Sequence, residues 1–244
     1  MVAKKALVIV GLVLAGPLAG DLGAQLPDEY TNLQVFPEDI DQRTLINYMR
    51  SFAIGLGVRC THCHVGEEGQ PLSTYDFASD DKVTKRKARV MIEMVMAINE
   101  RHLEELPERE EDIEVTCATC HRGLPAPRIL EDVLMEAYAD GGVAGLIERY
   151  RTLRERYYGT YSFDFTEHRL NEVANRVSDT SLADATTVLE LNQEFFAGSA
   201  HIEYLMGEVL LASGDAGAAT AKFERALELD PNHRGALRRL QQSN

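Results

Sequence analysis

Two short stretches of the sequence, CTHCH at residues 60–64 and CATCH at residues 117–121, contain all four cysteines of the chain. In each stretch two residues separate the cysteines, and a histidine directly follows the second cysteine. The four thiols could form two disulfides or bind one zinc ion. However, the two pairs lie much farther apart than the roughly 15–20 residues usual between the halves of a zinc site. Neither alternative explains why a histidine follows both pairs.

A covalently attached haem explains this order of residues. The two thiols bond to the vinyl groups of the haem, and the adjacent histidine is held beneath the ring, where it binds the iron. The sequence therefore predicts two c-type haems. The predicted attachment and ligand residues are Cys60, Cys63 and His64 for the first haem, and Cys117, Cys120 and His121 for the second.

The first 24 residues have the layout of a secretory signal peptide. Lys4 and Lys5 precede an apolar run from Ala6 to Ala19, and small residues continue up to Ala24. The apolar run is shorter than the about 20 residues that a membrane-spanning helix needs. We therefore expect cleavage after Ala24 and export to the periplasm. The alternative is an uncleaved segment that keeps the protein associated with the membrane.

Each predicted iron has a second axial position, whose ligand decides the function. An iron with an open position can react with gases or peroxide, whereas an iron with both positions filled mainly transfers electrons. Before the first motif, Leu45, Met49 and Phe52 share one face at helical spacing. Gly55 and Gly57 are expected to break this helix and permit a sharp turn. Such a helix, turn and motif can reach around both faces of a flat ring, so we predict Met49 as a ligand of the first iron rather than a core residue.

For the second iron, the candidates lie in the stretch KVTKRKARVMIEMVMAINERHL, which is expected to be helical. At 100° per residue, Met91, Met94 and His102 fall on one side of the helix and Met96 falls on the other. Periodicity therefore excludes Met96 but does not choose among the other three. Each of the three could also be an ordinary core or surface residue.

Three stretches resemble the cytochrome c subunit of photosynthetic reaction centres. They are MRSFAIGLGVRCTHCH, DFASDDKVTKRKARVMIEMVMAIN and VTCATCHRGLPAP, and the resemblance covers about residues 31 to 128. It implies that each haem lies against a helix that supplies a methionine, followed by a turn and the C-x-x-C-H motif; one haem of the family has a histidine instead. A family member that serves a reaction centre has four haems in two pairs. This chain has one pair and is similar to a half-unit.

The resemblance also bears on the second iron. The family pattern I-x-M-V-x-x-I/L-N falls on Ile92, Met94, Val95, Ile98 and Asn99. The resemblance thus implies Met94 as the ligand of the second iron, with His102 as the alternative.

The predicted haem region also contains clusters of charge. Five basic residues lie close together in the second helix, and we expect its lysines to form a solvated face rather than to pair with haem propionates. The five are Lys82, Lys85, Arg86, Lys87 and Arg89, and Arg59 and Arg122 flank the two motifs. The acidic stretch EELPEREEDIE is expected to be a solvated loop, with docking of a basic redox partner as the alternative.

The remainder of the chain, residues 129–244, follows a linker marked by Pro125 and Pro127 and contains no cysteine. Residues 204–233 match the pattern of a tetratricopeptide repeat (TPR), and residues 166–199 match it as a degenerate copy. We also expect a helix pair at 130–139 and 143–157, split by Gly141-Gly142, and a last helix after Pro231. Two repeats are fewer than the three usually needed to bury a continuous core. The array should therefore dock on the haem domain or pack through the extra helices. His168, His201 and His233 are expected to be surface residues.

The sequence thus predicts an all-α protein with a signal peptide at 1–24, a dihaem domain at 25–128 and a TPR-like domain at 129–244. The net charge of −14 argues against binding nucleic acid. We expect an exported electron carrier with redox protein partners, a further protein partner at the repeats and a possible association with a membrane redox complex. The alternatives are a dihaem peroxidase with one open iron and a haem-bearing scaffold. Without haem, the first domain should be largely unfolded, because a loop-rich segment of that size buries little apolar surface.

Overall fold

A computed structural model of the protein describes residues 27, 29–108 and 113–242. The predicted signal peptide and part of the stretch EELPEREEDIE lie outside these residues. The α-helices are α1 (Gln42–Leu56), α2 (Val83–Ala97), α3 (Cys117–His121), α4 (Leu130–Tyr157), α5 (Glu167–Ser178), α6 (Leu182–Phe195), α7 (Ala200–Ala212), α8 (Ala216–Leu229) and α9 (Arg234–Gln242). Two 3₁₀ turns occupy Cys60–His62 and Leu72–Thr74, and a π-helical turn at Ile98–His102 follows α2.

The described residues form no β-strand beyond one isolated antiparallel bridge between Val65 and Asp76. The prediction of an all-α fold is therefore confirmed. In the part of the chain that the structure describes, no helix combines the length and the apolar character needed to cross a membrane.

The chain forms two compact units that do not follow its linear order. The first contains the segment ending at Ile40 together with Cys60–Met94. The second contains Asp41–Arg59 together with the chain from Val95 onwards. The second unit thus holds α1, the second C-x-x-C-H motif and all the C-terminal helices, whereas the first holds the first motif and most of α2.

Local sequence signals explain where α1 begins and ends. The side chain of Asp41 accepts a hydrogen bond from the backbone N–H of Thr44 at 3.0 Å, which caps the first turn. Gly57 ends the helix in the left-handed conformation, with φ of 63°, which glycine adopts without the steric penalty of a side chain. The helix continues through Gly55, so the prediction that Gly55 breaks it is wrong.

The C-terminal helices bury the main hydrophobic core. Leu134, Leu146 and Tyr150 of α4 are at most 1% exposed and pack with residues of α5, α6 and α7. Gly142 has φ of 63° and ψ of −160° inside α4, which divides it near the predicted split between two shorter helices. This apolar packing holds the helices together, and ion pairs between helices, such as Arg169 with Glu131 at 2.8 Å, add to it.

The helices α5 to α8 form two consecutive helical hairpins where the two repeat copies were expected. Where α7 meets α8, a Cβ atom on Gly207 would lie 2.4 Å from the ring of Phe223, so only glycine permits this approach. Ser199 and Asp215 cap α7 and α8 by accepting hydrogen bonds from backbone N–H groups. The helical hairpin array is therefore present, and its assignment as a TPR stays a prediction.

Candidate haem-binding sites

The first C-x-x-C-H motif folds into a single helical turn. The backbone N–H groups of Cys63 and His64 both donate to the carbonyl oxygen of Cys60, at 3.2 and 2.9 Å. Residues separated by three and four positions lie on one face of such a turn. The fold therefore places the two thiols and the imidazole on the same side of the backbone, as covalent attachment and iron binding by one ring require.

The ring of His64 is held in poorly solvated surroundings. It contacts the ring of Phe77 edge-on, with centroids 4.9 Å apart. Burial, and next the nearby positive charge of Lys85, lower the pKa of His64 to about 4, and a hydrogen-bonding effect of the Phe77 backbone opposes this only in part. Nδ1 is buried and makes no hydrogen bond of standard geometry with the described residues. The imidazole is therefore neutral at neutral pH, which is the form that binds metal.

The N-terminal end of α2 holds the first motif. Lys82 donates from Nζ to the carbonyl of Thr61, and Thr84 donates from its hydroxyl to the carbonyl of His62. Lys85 is buried, with 8% of its surface exposed. The prediction that the lysines of this helix form a solvated face is therefore wrong for Lys85, whereas Lys87 is exposed as expected.

The second motif forms the short helix α3. The backbone N–H of Thr116 donates to the hydroxyl of Thr119 at 3.0 Å as part of a capping box. His121 is buried, and its Nδ1 lies 2.9 Å from the carbonyl oxygen of Leu124. A carbonyl only accepts hydrogen bonds, so Nδ1 must carry the proton and donate it. In the neutral form of the ring the lone pair is then on Nε2, the arrangement typical of a histidine that binds a metal through Nε2.

Two glycines of the segment before the first motif pack against the second motif. The backbone N–H of Gly123 donates to the carbonyl of Gly55 at 2.8 Å. A Cβ atom on Gly55 would lie 3.2 Å from Cβ of Cys117, and one on Gly57 would lie 2.1 Å from the carbonyl oxygen of Gly123. These glycines therefore permit α1 to approach α3 backbone to backbone. Sequence reasoning assigned them only to a local turn.

Asn99 is a further residue whose role the sequence did not reveal. Its side-chain amide donates to the carbonyl of Val115 at 2.8 Å, and its oxygen accepts from the N–H of Val115 at 2.8 Å. This pair of hydrogen bonds ties the π-helical turn after α2 to the segment that leads into the second motif. The sequence feature that could have pointed to this role of Asn99 is its position in the family pattern.

The predicted axial methionines lie on the two helices that the resemblance indicates. Met49 is half-buried on α1. Met94 of α2 is 42% exposed, and Met91 and Met96 of the same helix are exposed to a similar extent. His102 is exposed in the π-helical turn. Exposure therefore does not choose among these candidates, and Met49 and Met94 stay predictions as iron ligands.

The donor atoms of both motifs fit a covalently bound haem. All four cysteines are free thiols. Within the described ranges, no three His, Cys, Asp or Glu side chains are grouped around a possible metal position. Each motif instead offers two thiols and one imidazole on a single helical turn, and the hydrogen bond of His121 Nδ1 to Leu124 leaves Nε2 as the nitrogen that could bind iron.

The helical hairpin region is joined to the second motif. The hydroxyl of Ser162 donates to the carbonyl of Arg122 at 2.8 Å, and Leu124 belongs to the main core with the residues of α4 to α7. Around Arg122, a pocket of about 440 Å³ is lined largely by residues of the loop between α4 and α5, four of which are aromatic. The array packs against α4, as expected for the extra helices, whereas its docking on a haem domain stays a prediction.

Residues 14–140, more than half of the chain, match the photosynthetic reaction centre cytochrome C subunit family. The chain is 31% identical over 102 residues to cytochrome c-554 of Chloroflexus aurantiacus, covering 38% of this chain and 22% of that protein. It is 32% identical over 114 residues to the photosynthetic reaction center cytochrome c subunit of Thermochromatium tepidum, covering 46% of this chain and 25% of that protein. The match thus spans about a quarter of the length of these relatives. The chain belongs to the family of photosynthetic reaction centre cytochrome c subunits.

Proposed function

We propose that the protein is an exported dihaem c-type cytochrome that transfers electrons between redox protein partners. The observation that carries this proposal is the state of His121. Its Nδ1–H is used by the carbonyl of Leu124, which leaves Nε2 as a ready iron ligand beside the thiols of Cys117 and Cys120. The first motif repeats the same order of donors on a single turn.

The residues of the chain have distinct tasks in this proposal. The thiols anchor each ring, and His64 and His121 bind the irons from one side. Met49 and Met94 close the opposite positions, with His102 as the alternative to Met94. When bound, each haem supplies a one-electron couple between ferric and ferrous iron. A thioether ligand raises its reduction potential, and the protein tunes that potential further through burial and hydrogen bonds.

The partners and the location follow from features outside the two motifs. The signal-like N-terminal segment supports export to the periplasm, the compartment in which we place both redox partners. The net charge of −14 favours a partner with a basic docking surface. The helical hairpin array is joined to the second motif through Ser162 and Leu124, so a protein bound to the array would be held near the second haem.

The proposal is tested by spectroscopy on the full chain loaded with haem. The mass should correspond to two covalent haems. Low-temperature electron paramagnetic resonance should show two low-spin ferric irons, and the optical spectrum should show the weak long-wavelength sulfur-to-iron band of methionine ligation. Met49→Ala and Met94→Ala should each remove the band of one haem.

Met96→Ala is the matched control, because Met96 lies on the same helix as Met94 and is exposed to a similar extent. It should leave both bands intact. If His102→Ala removes a ligand and Met94→Ala does not, the second iron is bound by two histidines. A high-spin iron in the unmutated protein would contradict the proposal and favour a peroxidase.

A further inference from the structure

Lys85 is a buried cation held by four oxygen atoms. Its Nζ lies 2.9 Å from the carbonyl of Phe77, 3.0 Å from that of Ala78 and 2.8 Å from that of Ser79. The fourth oxygen is Oδ1 of Asp80, at 3.1 Å. An ammonium group has three protons to donate, so every donor of Lys85 is used. A charge removed from water to this extent is costly unless it is paired and hydrogen-bonded in this way.

These contacts hold the loop that supports the first predicted iron ligand. The carbonyl groups of three successive loop residues converge on one ammonium, which prevents this loop from moving away from α2. The ring of Phe77, the first of the three, contacts His64 edge-on at 4.9 Å. The ring of Tyr75 stacks against Phe77 at 5.6 Å. Lys85 is thus connected to His64 through a single intervening residue.

The surroundings of Lys85 leave an excess of positive charge. Asp80 is shared between Lys85 and Arg89, with Arg89 Nη1 at 2.8 Å from Oδ1. The hydrogen bond from Arg89 keeps the pKa of Asp80 well below its usual range, so Asp80 is ionised at neutral pH. Lys85, Arg89 and Asp80 together carry one positive unit. The same loop also contains the carboxylate of Asp76, whose Oδ1 accepts from the N–H groups of Ala78 and Ser79. Lys82 adds a further positive charge, because its Nζ donates to the carbonyl of Thr61 inside the first motif.

We propose that Lys85 is a positioning residue for His64 and that its buried positive charge raises the reduction potential of the haem held by Cys60 and Cys63. The inference rests on the proposed function. In the redox step, ferric iron accepts one electron from a one-electron redox protein and becomes ferrous; no bond forms or breaks. The haem loses one unit of positive charge, so a fixed cation in poorly solvated surroundings favours the reduced form.

The test compares Lys85→Met with Lys87→Met in the full chain loaded with haem. Both changes remove one positive charge from α2, but Lys87 is exposed whereas Lys85 is buried. Redox titration should show that Lys85→Met lowers the potential of one haem and leaves the other unchanged. Lys87→Met should move neither, and Lys85→Arg should largely restore the shifted potential. Equal shifts in the two lysine variants, or none in Lys85→Met, would overturn the inference.

A second variant separates charge from positioning and remains informative if Lys85→Met fails to fold. Asp80→Asn removes the negative partner of the cluster and should raise the potential of the same haem. A change that acted only by loosening the loop would admit water and lower the potential in both variants, and that result would overturn the role of the charge. Phe77→Leu removes the aromatic ring that contacts His64 and should therefore change the electron paramagnetic resonance signal of the first haem. The signal that changes identifies which of the two haems is the first.

The inference and the proposed function fail in different ways. If the unmutated chain gains the mass of only one haem, the proposed dihaem function fails before any potential is measured. If two haems bind and neither Lys85→Met nor Asp80→Asn moves a potential, the function stands and the role of Lys85 is refuted.

Discussion

The regions before and after residue 129 differ in how much apolar surface they bury. Beyond residue 129, four successive helices enclose a core that includes Leu134, Leu146 and Leu170, each fully buried. In the described residues before 129, only Leu45 and Leu124 are buried apolar side chains, and Leu124 belongs to the core of the later helices. The first region instead exposes large apolar side chains along α1 and α2, with Ile54 77% and Val90 64% exposed.

This difference indicates what each region needs in order to fold. Each buried aliphatic side chain contributes about 1.5–3 kcal/mol relative to its exposed form, so the later region has its own source of stability. The earlier region has apolar surface without apolar partners in the chain. We expect the two proposed haems to supply those partners and so to complete the core of this region.

The largest effect should come from removing haem attachment. In a Cys60→Ala, Cys117→Ala variant, the region before residue 129 should lose most of its helical structure, because little apolar surface is buried there without haem. Circular dichroism should show a lower helix content, and limited proteolysis should cut this region while sparing the later helices. The haem-loaded parent is the control. Native helix content in the variant would show that the first region has a sufficient core of its own.

A cavity in the later core should have a large effect that does not depend on haem. Leu146→Ala should lower the free energy of unfolding of the later region by about 2–5 kcal/mol, since the side chain is fully buried. Leu211→Ala is the matched control at an exposed site and should change it by less than about 1 kcal/mol. Denaturant titration followed by helix content measures both. Similar losses in the two variants would mean that the core is not where this region gains its stability.

A glycine change should affect the contact between α1 and the second motif. Gly57→Ala forces a side chain into a left-handed conformation and against the carbonyl of Gly123, so we expect a loss of roughly 2 kcal/mol or more. Gly159→Ala has a similar positive φ but open space around the added Cβ, so only the conformational penalty of about 1–2 kcal/mol remains. Thermal unfolding of the haem-loaded protein compares the two. A smaller loss for Gly57→Ala would refute the steric argument.

The smallest effect should be a pH dependence of the later region near His201. Nδ1 of His201 lies 3.4 Å from Nε2 of His233. Partial burial, then the charge of His233, lower the pKa of His201; Glu167 raises it and His168 lowers it. A histidine with a lowered pKa in the folded state stabilises the fold above its ordinary pKa and loses this contribution as the pH falls below it. The melting temperature should therefore fall from pH 7 to pH 5.

The control for this pH effect is His201→Gln, in which the melting temperature should fall less between pH 7 and pH 5. An identical pH profile in the variant and the parent would assign the effect to other groups. The backbone N–H of Ala236 donates to Nδ1 of His233, which ties this second histidine to the start of α9. His233→Gln tests how much the charge of His233 contributes to the lowered pKa of His201.

Several features of the site follow from short-range sequence patterns. The C-x-x-C-H spacing brings the two thiols and the imidazole to one face if the motif forms a helical turn, and both motifs do form such a turn. The caps of α1, α7 and α8 are provided by Asp41, Ser199 and Asp215, residue types that favour this position. The split of α4 at Gly142 and the two helical hairpins follow from glycine positions and helical periodicity.

The sequence by itself thus determined the helices, the two predicted haem-attachment turns and the family, because these depend on residues that are neighbours along the chain. Only the tertiary structure decided that Gly55 and Gly57 pack against the second motif, that Asn99 is bonded to Val115, and that Lys85 is buried under a loop. Each of these contacts joins segments that no periodic pattern relates, so it depends on how the whole chain returns on itself. The sequence predicts Lys85 as a solvated residue of a charged helix. In the structure it is a buried cation, because three carbonyl groups of the loop accept its hydrogen bonds.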